Sequence, residues 1–221
     1  SYCCATSELP ESKLYMVPLT EENCRLSKNS VEQLINKVQK GATVYISLSS
    51  GSVKGLNRLF GEELINRSQP ARNLIVNING TELATDSYYR FIDNKTEGEI
   101  LARFSDGTPA VVLFSMGRGK VILSLFSPEM QMAKSNHKVY SLVLKNAGIK
   151  PYVYTDNIFV GAMEHIIDSK RSIISLINYS DKEQKYTVGA AFAYHVRRIL
   201  YGSLDGILKS NDAVIFEVEK Y

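Results

Sequence analysis

The chain has 221 residues, of which 44% are hydrophobic and 22% are charged, proportions that are ordinary for a folded globular protein. The 26 Lys and Arg residues against 23 Asp and Glu give a net charge of +3, and the basic residues are scattered rather than gathered into a stripe. This distribution argues against nucleic-acid binding, and no run is apolar for long enough to predict a membrane-spanning helix.

The first part of the chain has the pattern of a strand, a helix and a second strand. The apolar run Lys13–Leu19 predicts a buried strand. Ser30 and Gln33 have the spacing of a capping box, so we expect a helix to begin there and to end before Gly41. The β-branched run Thr43–Leu48 predicts the second strand. A unit of this kind predicts parallel pairing of its two strands.

A meander of three strands is predicted next, at Glu99–Phe104, Thr108–Ser115 and Lys120–Phe126. Glycine-containing turns separate these strands, and because tight turns need a positive φ we expect one at Gly117 or Gly119. The second and third strands are apolar on both faces, which predicts a sheet that is covered on both sides. The residues expected at their buried centre are Val111, Val112, Leu113, Val121, Ile122 and Leu123.

A helix at Ser135–Ala147 is predicted to follow, and Pro151 ends the helical part of the chain. Beyond this point short apolar runs separated by turns predict an antiparallel β-domain. We therefore expect an α/β domain at residues 1–150 and a small C-terminal β-domain at residues 151–221. The strands predicted for the second domain are Ile158–Ile167, Arg171–Asn178, Gln184–Val188, His195–Tyr201 and Ala213–Val218.

The cysteines indicate the compartment. Cys3, Cys4 and Cys24 are too few and too clustered for a disulfide framework, and their odd number leaves at least one free thiol. We therefore expect a reducing environment, and hence a cytoplasmic, bacterial protein. An export signal on a longer parent protein would lie outside this sequence.

The scarce reactive residues form no recognisable constellation. His137, His165 and His195 have no neighbour at a metal-ligand spacing. No Ser or Cys has glycines on both sides at the spacing of a nucleophile elbow, and adjacent carboxylates are expected to diverge into solvent. The sequence therefore predicts no catalytic residue, no metal site and no cofactor.

One loop is a candidate for ligand binding. Ser49, Ser50, Gly51 and Ser52 follow the predicted strand Thr43–Leu48. Open α/β sheets bind ligands beyond the carboxyl ends of their parallel strands, and this loop occupies such a position. An ordinary connection between a strand and a helix is the alternative interpretation.

Three stretches of sequence resemble a known family. They are the run KLYMVPL with the helix and strand that end KVQKGATVYISLSSG, the segment DGTPAVVLFSMGRGKVILSLFSPE, and the segment SIISLINYSDKEQKYTV. Their order is similar to the region that follows the catalytic barrel in glycoside hydrolase family 42 and related β-galactosidase-like enzymes. The resemblance implies a class I glutamine-amidotransferase-like, flavodoxin-like α/β domain with a partly parallel sheet, without the amidotransferase cysteine and histidine. A small antiparallel β-sandwich-like domain would follow it.

The resemblance also implies a role. In this family the α/β domain mediates trimer formation, and the catalytic glutamates belong to the barrel, which this sequence lacks. The chain is therefore expected to be a fragment, without the usual first strand and helix of such a domain. It would be a non-catalytic accessory and oligomerisation region whose partners are the parent's barrel and further copies of itself. Apolar surface at Tyr2–Leu9 and Tyr152–Phe159 is expected to contact these partners.

Two other functions stay open. The C-terminal domain could be a carbohydrate-binding module, although the lack of tryptophan removes the best platform for stacking on a sugar face. The chain could also be an independent enzyme with an unrecognised site. The tyrosines that would hold a sugar are Tyr152, Tyr154, Tyr179 and Tyr194.

Overall fold

A computed structural model of the chain describes residues 8–19, 26–48, 57–60, 68–70, 72–85, 89–91, 97–130 and 136–221. The chain divides into two compact units, the first formed by Ser1–Ile149 and the second by Lys150–Tyr221. No helix in the described ranges has the length and apolar character needed to cross a membrane.

The first unit contains short helices and a large sheet. Its helical segments are α1 (Lys28–Gln39), α2 (Asn57–Phe60), a 3-10 turn (Pro128–Met130) and α3 (His137–Asn146). Its strands are β1 (Leu14–Leu19), β2 (Thr43–Leu48), β3 (Ser68–Pro70), β4 (Leu74–Ile78), β5 (Thr81–Thr85), β6 (Tyr89–Phe91), β7 (Glu99–Phe104), β8 (Pro109–Met116) and β9 (Gly119–Ser124).

Seven of these strands form one mixed sheet in the order β1-β2-β9-β8-β7-β4-β5. Strands β1, β2 and β9 are parallel, and every later neighbour in the order is antiparallel. The parallel pairing predicted for the strand–helix–strand unit is confirmed, with Leu14 opposite Thr43. The unit has the expected α/β character, and its sheet is parallel on one side only.

The centre of this sheet is covered on both faces. All six residues of β2 are buried, and so are the six residues that were expected at the buried centre of β8 and β9. These two strands pair with Leu113 opposite Ile122, and Gly117 in the turn between them has a φ of 60°. The predictions for this hairpin are therefore confirmed.

Helix α1 begins earlier than its predicted capping box. Its N-cap is Ser27, whose Oγ accepts a hydrogen bond from the Ser30 backbone N–H at 3.0 Å. Ser30 is therefore inside the first turn, where it is buried. The predicted start was wrong because Ser27 and Ser30 can both cap a helix, and the helix uses the earlier serine. The predicted end is confirmed, since Gly41 has a φ of 116° and donates to the Val38 carbonyl at 2.9 Å.

The second unit is built from antiparallel strands. Strands β11, β12, β17 and β15 form a four-stranded sheet in that order, and β10–β14 and β13–β16 form two small ladders. The strands are β10 (Val153–Thr155), β11 (Val160–Ile166), β12 (Arg171–Asn178), β13 (Gln184–Lys185), β14 (Val188–Ala190), β15 (Tyr194–Tyr201), β16 (Ile207–Leu208) and β17 (Ala213–Lys220).

The core of the second unit lies on one face of its four-stranded sheet. Ile174 opposite Phe216 and Leu176 opposite Val214 are fully buried, as period-two alternation requires. The single strand predicted at Gln184–Val188 is wrong, because the chain there forms two strands with different partners. Its middle residue is the buried Tyr186, whose backbone N–H donates to the Gly206 carbonyl at 2.9 Å. This bond continues the register of β13 with β16, and the chain changes partner only after it.

Candidate functional site

Hydroxyl groups gather around one carboxylate at the carboxyl ends of the parallel strands β2 and β9. We call this set the carboxyl-edge cluster. Two of its members, Tyr45 and Ser47, are two residues apart on β2, so their side chains lie on the same face of the sheet. Ser47 is the register partner of Ser124 on β9. The members of the cluster are Tyr45, Ser47, Ser124, Ser127, Glu129 and Tyr140.

The carboxylate of Glu129 stands at the centre of the carboxyl-edge cluster. The Tyr45 hydroxyl donates to Oε1 of Glu129 at 3.1 Å, and the Ser127 Oγ donates to its Oε2 at 3.1 Å. The ring of Tyr140, on α3, meets the Tyr45 ring edge-on with centroids 6.3 Å apart. These contacts tie the 3-10 turn that follows β9 to the middle of β2 and bring α3 to the same place.

The two tyrosines of the carboxyl-edge cluster are held in their protonated form. Burial raises the pKa of the Tyr45 hydroxyl well above its usual range, and the negative charge of Glu129 adds to this effect. Burial also raises the pKa of Tyr140, again with a contribution from Glu129. Both hydroxyls therefore remain hydrogen-bond donors at any physiological pH.

One hydroxyl of the carboxyl-edge cluster has no partner in the described part of the chain. The Oγ of Ser47 is buried and makes no hydrogen bond. An unpaired buried hydroxyl costs about 1 to 3 kcal/mol, so this atom is available to an added polar group such as a water. The arrangement can hold polar atoms by hydrogen bonding, with one carboxylate as acceptor and hydroxyls as donors.

The protonation of this cluster predicts how stability depends on pH. The folded state holds the tyrosine protons more tightly than the unfolded chain, so the unfolded chain releases them first as the pH rises above about 10. The stabilising contribution is complete below that pH and is lost progressively above it. We expect Tyr45→Phe to reduce the loss of unfolding free energy between about pH 8 and about pH 11.

Chemical unfolding of both proteins at the two pH values measures this difference. Tyr152→Phe is the matched control, since it removes the same atom from an exposed ring. We expect the control to lose as much stability as the unmodified chain. An equal loss in Tyr45→Phe would contradict the protonation described here.

The candidate residues predicted from the sequence do not belong to the carboxyl-edge cluster. Ser49, Ser50, Gly51 and Ser52 follow β2 but lie outside the described residues, as do the three cysteines, so a ligand role for the loop stays a prediction. His137 begins α3, whereas the other two histidines are exposed on strands of the second unit. In the part of the chain that the structure describes, no group of three or more His, Cys, Asp or Glu side chains is arranged to hold a metal ion.

Sequence reasoning missed the centre of the cluster. Glu129 comes five residues after a strand whose last four residues are all buried, and a carboxylate soon after the carboxyl end of such a strand was a usable signal. Tyr45 gave no signal, because an aromatic residue within a buried strand is most often part of the core.

Three of the four tyrosines considered for sugar binding are exposed, namely Tyr152, Tyr154 and Tyr179. The rings of Tyr154 and Tyr179 each lie against a glycine: a Cβ at Gly189 would be 2.3 Å from the Tyr154 ring, and one at Gly161 would be 2.6 Å from the Tyr179 ring. Both rings are therefore in contact with the backbone of their own unit. The fourth, Tyr194, packs against the core of the second unit.

No protein-family model and no curated protein sequence matches the chain. Solved structures do match it. A β-galactosidase from Bacillus circulans sp. alkalophilus aligns with a TM-score of 0.65 at 15% identity, over 98% of this chain and 34% of that one. The β-galactosidase of the haloarchaeon Halorubrum lacusprofundi aligns with a TM-score of 0.66 at 14% identity, over 96% of this chain and 32% of that one. A GH42 β-galactosidase from G. stearothermophilus aligns with a TM-score of 0.63 at 14% identity, over 93% of this chain and 31% of that one. The chain thus spans about a third of the length of these enzymes and shares the fold of that third.

Proposed function

We propose that the chain is a non-catalytic accessory and oligomerisation region of a glycoside hydrolase of the β-galactosidase type. The observation that carries this proposal is the pattern of coverage. Nearly all of this chain aligns with about a third of each β-galactosidase, and the other two thirds have no counterpart here. A region that recurs beside a catalytic portion, without one of its own, fits an accessory role.

The two units fit the two domains that the sequence resemblance implies. We assign the first to an amidotransferase-like, flavodoxin-like domain, supported by its strand–helix–strand beginning and its parallel strands β1, β2 and β9. We assign the second to the small C-terminal β-domain, supported by its antiparallel ladders. In this proposal the first unit contributes to oligomer formation and the parent's barrel supplies the catalytic glutamates.

The bonding of the carboxylates supports a non-catalytic role. Glu129 accepts hydrogen bonds from hydroxyls of its own unit at each of its two oxygens. Other carboxylates pair with basic side chains, as Asp106 does with Arg90 at 2.6 Å. A pair of carboxylates facing each other across a sugar, as glycoside hydrolysis requires, is expected on the barrel instead.

An activity assay tests the proposal. We expect the purified 221-residue chain to hydrolyse neither an aryl β-galactoside nor a glutamine or ester substrate, because its reactive groups form no nucleophile–base arrangement. Release of the aryl chromophore is the readout for the first substrate. Turnover that Glu129→Gln abolishes would contradict the proposal and favour an independent enzyme. Glu82→Gln, an exposed carboxamide change on β5, is the matched control.

A carbohydrate-binding module is the second candidate, and the exposure of Tyr152 and Tyr179, at 67% and 66%, favours it. A free aromatic face can stack on a pyranose ring. A glycan array separates the two functions. Binding that is lost in Tyr152→Ala or Tyr179→Ala would favour the module, and no binding to any glycan would favour the accessory region.

A further inference from the structure

Asn79 and Gly80 form the two-residue turn that joins β4 to β5. The closing pair of this hairpin is Ile78 opposite Thr81, and the turn residues have φ values of 51° at Asn79 and 78° at Gly80. Both turn residues are exposed. Strand β5 is the last strand in the order of the seven-stranded sheet. An asparagine and the glycine that follows it therefore meet solvent at the tip of an edge hairpin.

Asparagine is a thermolabile residue, and one that precedes a glycine can be modified without an enzyme. The backbone nitrogen of the glycine gives up its proton to solvent and attacks Cγ of the asparagine. A cyclic succinimide forms, and the side-chain nitrogen leaves as ammonia. Water then opens the ring at either carbonyl, so that the net reaction consumes water and releases ammonia. One product is aspartate, and the other is isoaspartate, in which the main chain runs through the side-chain carboxyl.

The surroundings of the turn leave both reacting groups free. Within the part of the chain that the structure describes, neither the Asn79 side chain nor the Gly80 backbone N–H has a hydrogen-bond partner. Nothing lies within 4 Å of the position that a Cβ on Gly80 would occupy. No neighbouring segment therefore obstructs closure of the ring from that side.

Two other asparagines share the positive φ of Asn79 but differ at the attacking nitrogen. Asn73 and Asn211 each have a φ of 54° and are exposed. Asn73 precedes a leucine and Asn211 precedes Asp212, so a Cβ stands beside the nitrogen that would attack. The Asp212 N–H also donates to the Lys209 carbonyl at 3.2 Å. These two asparagines are therefore internal controls for Asn79.

We propose that Asn79 is a site of spontaneous deamidation in the folded chain, and that isoaspartate formed there remodels the hairpin of β4 and β5. Isoaspartate adds a methylene group to the main chain, and a two-residue turn cannot take up this extra atom while Ile78 stays opposite Thr81. Aspartate keeps the turn, since it tolerates a positive φ. Among the described strands β5 pairs with β4 alone, so β5 is the element that isoaspartate loosens.

Peptide mapping by mass spectrometry tests this modification. The folded 221-residue chain is kept in mildly alkaline buffer, and conversion of amide to acid is followed at Asn73, Asn79 and Asn211. We expect conversion at Asn79 to be at least about tenfold faster than at the other two, because only its attacking nitrogen has no Cβ beside it. Gly80→Ala is expected to remove this difference. Thr81→Ala, which keeps the Asn-Gly pair, is expected to preserve it.

A second measurement separates the reaction from its structural consequence. Asn79→Asp carries the charge of the product without the altered main chain, and we expect it to unfold at the same denaturant concentration as the fresh chain. An aged sample enriched in isoaspartate is expected to unfold at a lower concentration. Conversion at Asn79 no faster than at Asn211, or only in denaturant, would overturn deamidation in the folded turn. Isoaspartate that leaves the unfolding midpoint unchanged would overturn the remodelling of the hairpin.

Discussion

Replacing Gly119 with alanine is expected to lower the free energy of unfolding of the first unit by about 3 kcal/mol or more. Gly119 begins β9 where this strand passes the end of α1 and the start of β2. A Cβ built there would lie 2.2 Å from the carbonyl oxygens of both Val38 and Ala42. Both obstacles are backbone atoms, so no side-chain rotation relieves the clash, and the parallel contact of β9 with β2 must shift.

Denaturant unfolding of the chain measures this loss. Gly107→Ala is the matched control: Gly107 has a φ of 86° in the turn between β7 and β8, and nothing lies within 4 Å of its would-be Cβ. The control places a side chain at a positive φ without a steric clash, and it is expected to lower the free energy of unfolding by about 1 kcal/mol. If Gly119→Ala costs no more than Gly107→Ala, the close approach of the two strands is not as described.

The central strands could be predicted from the sequence because their signal is local. A strand buried on both faces reads as an unbroken apolar run, and the predicted bounds Thr43–Leu48 are those of β2. The glycine turn between β8 and β9 is local as well, since it depends on the backbone conformation of Gly117. For these two features one short stretch determines the structure, and sequence reasoning was sufficient.

The hairpin of β4 and β5 was missed although it carried a local signal. Asn79 and Gly80 join the two strands with φ values of 51° and 78°, which is the conformation of a two-residue hairpin turn. An Asn-Gly pair between two apolar runs is a strong hairpin signal. The runs themselves are short and mixed with polar residues, because only alternate positions are buried.

The carboxyl-edge cluster depends on contacts that no local pattern carries. Tyr45 and Glu129 are 84 residues apart and meet because β9 lies parallel to β2 in the folded sheet. The sequence predicts each strand but not which strands become neighbours. The error at the start of α1 has the opposite origin: Ser27 and Ser30 offer two similar caps, and tertiary packing that buries Ser30 decides between them.

Replacing Leu113 with alanine is expected to destabilise the first unit by about 2 to 5 kcal/mol. Leu113 lies on β8, in the middle of the seven-stranded sheet, with Glu99 of β7 on one side and Ile122 of β9 on the other. Its side chain is 6% exposed. The variant loses the burial of its removed methyl and methylene groups and leaves a cavity that strands paired on both sides cannot collapse to fill.

Ile75→Ala on β4 tests whether this cost comes from burial rather than from strand propensity. Ile75 belongs to the same sheet and loses a comparable volume, but 38% of its surface is already exposed. We expect it to cost less than about 1 kcal/mol, since solvent replaces much of what the side chain contacted. Equilibrium unfolding of both variants gives the comparison. Equal losses would mean that the centre of the sheet is not closed on both faces, whereas a difference of more than about 1 kcal/mol supports the closed core.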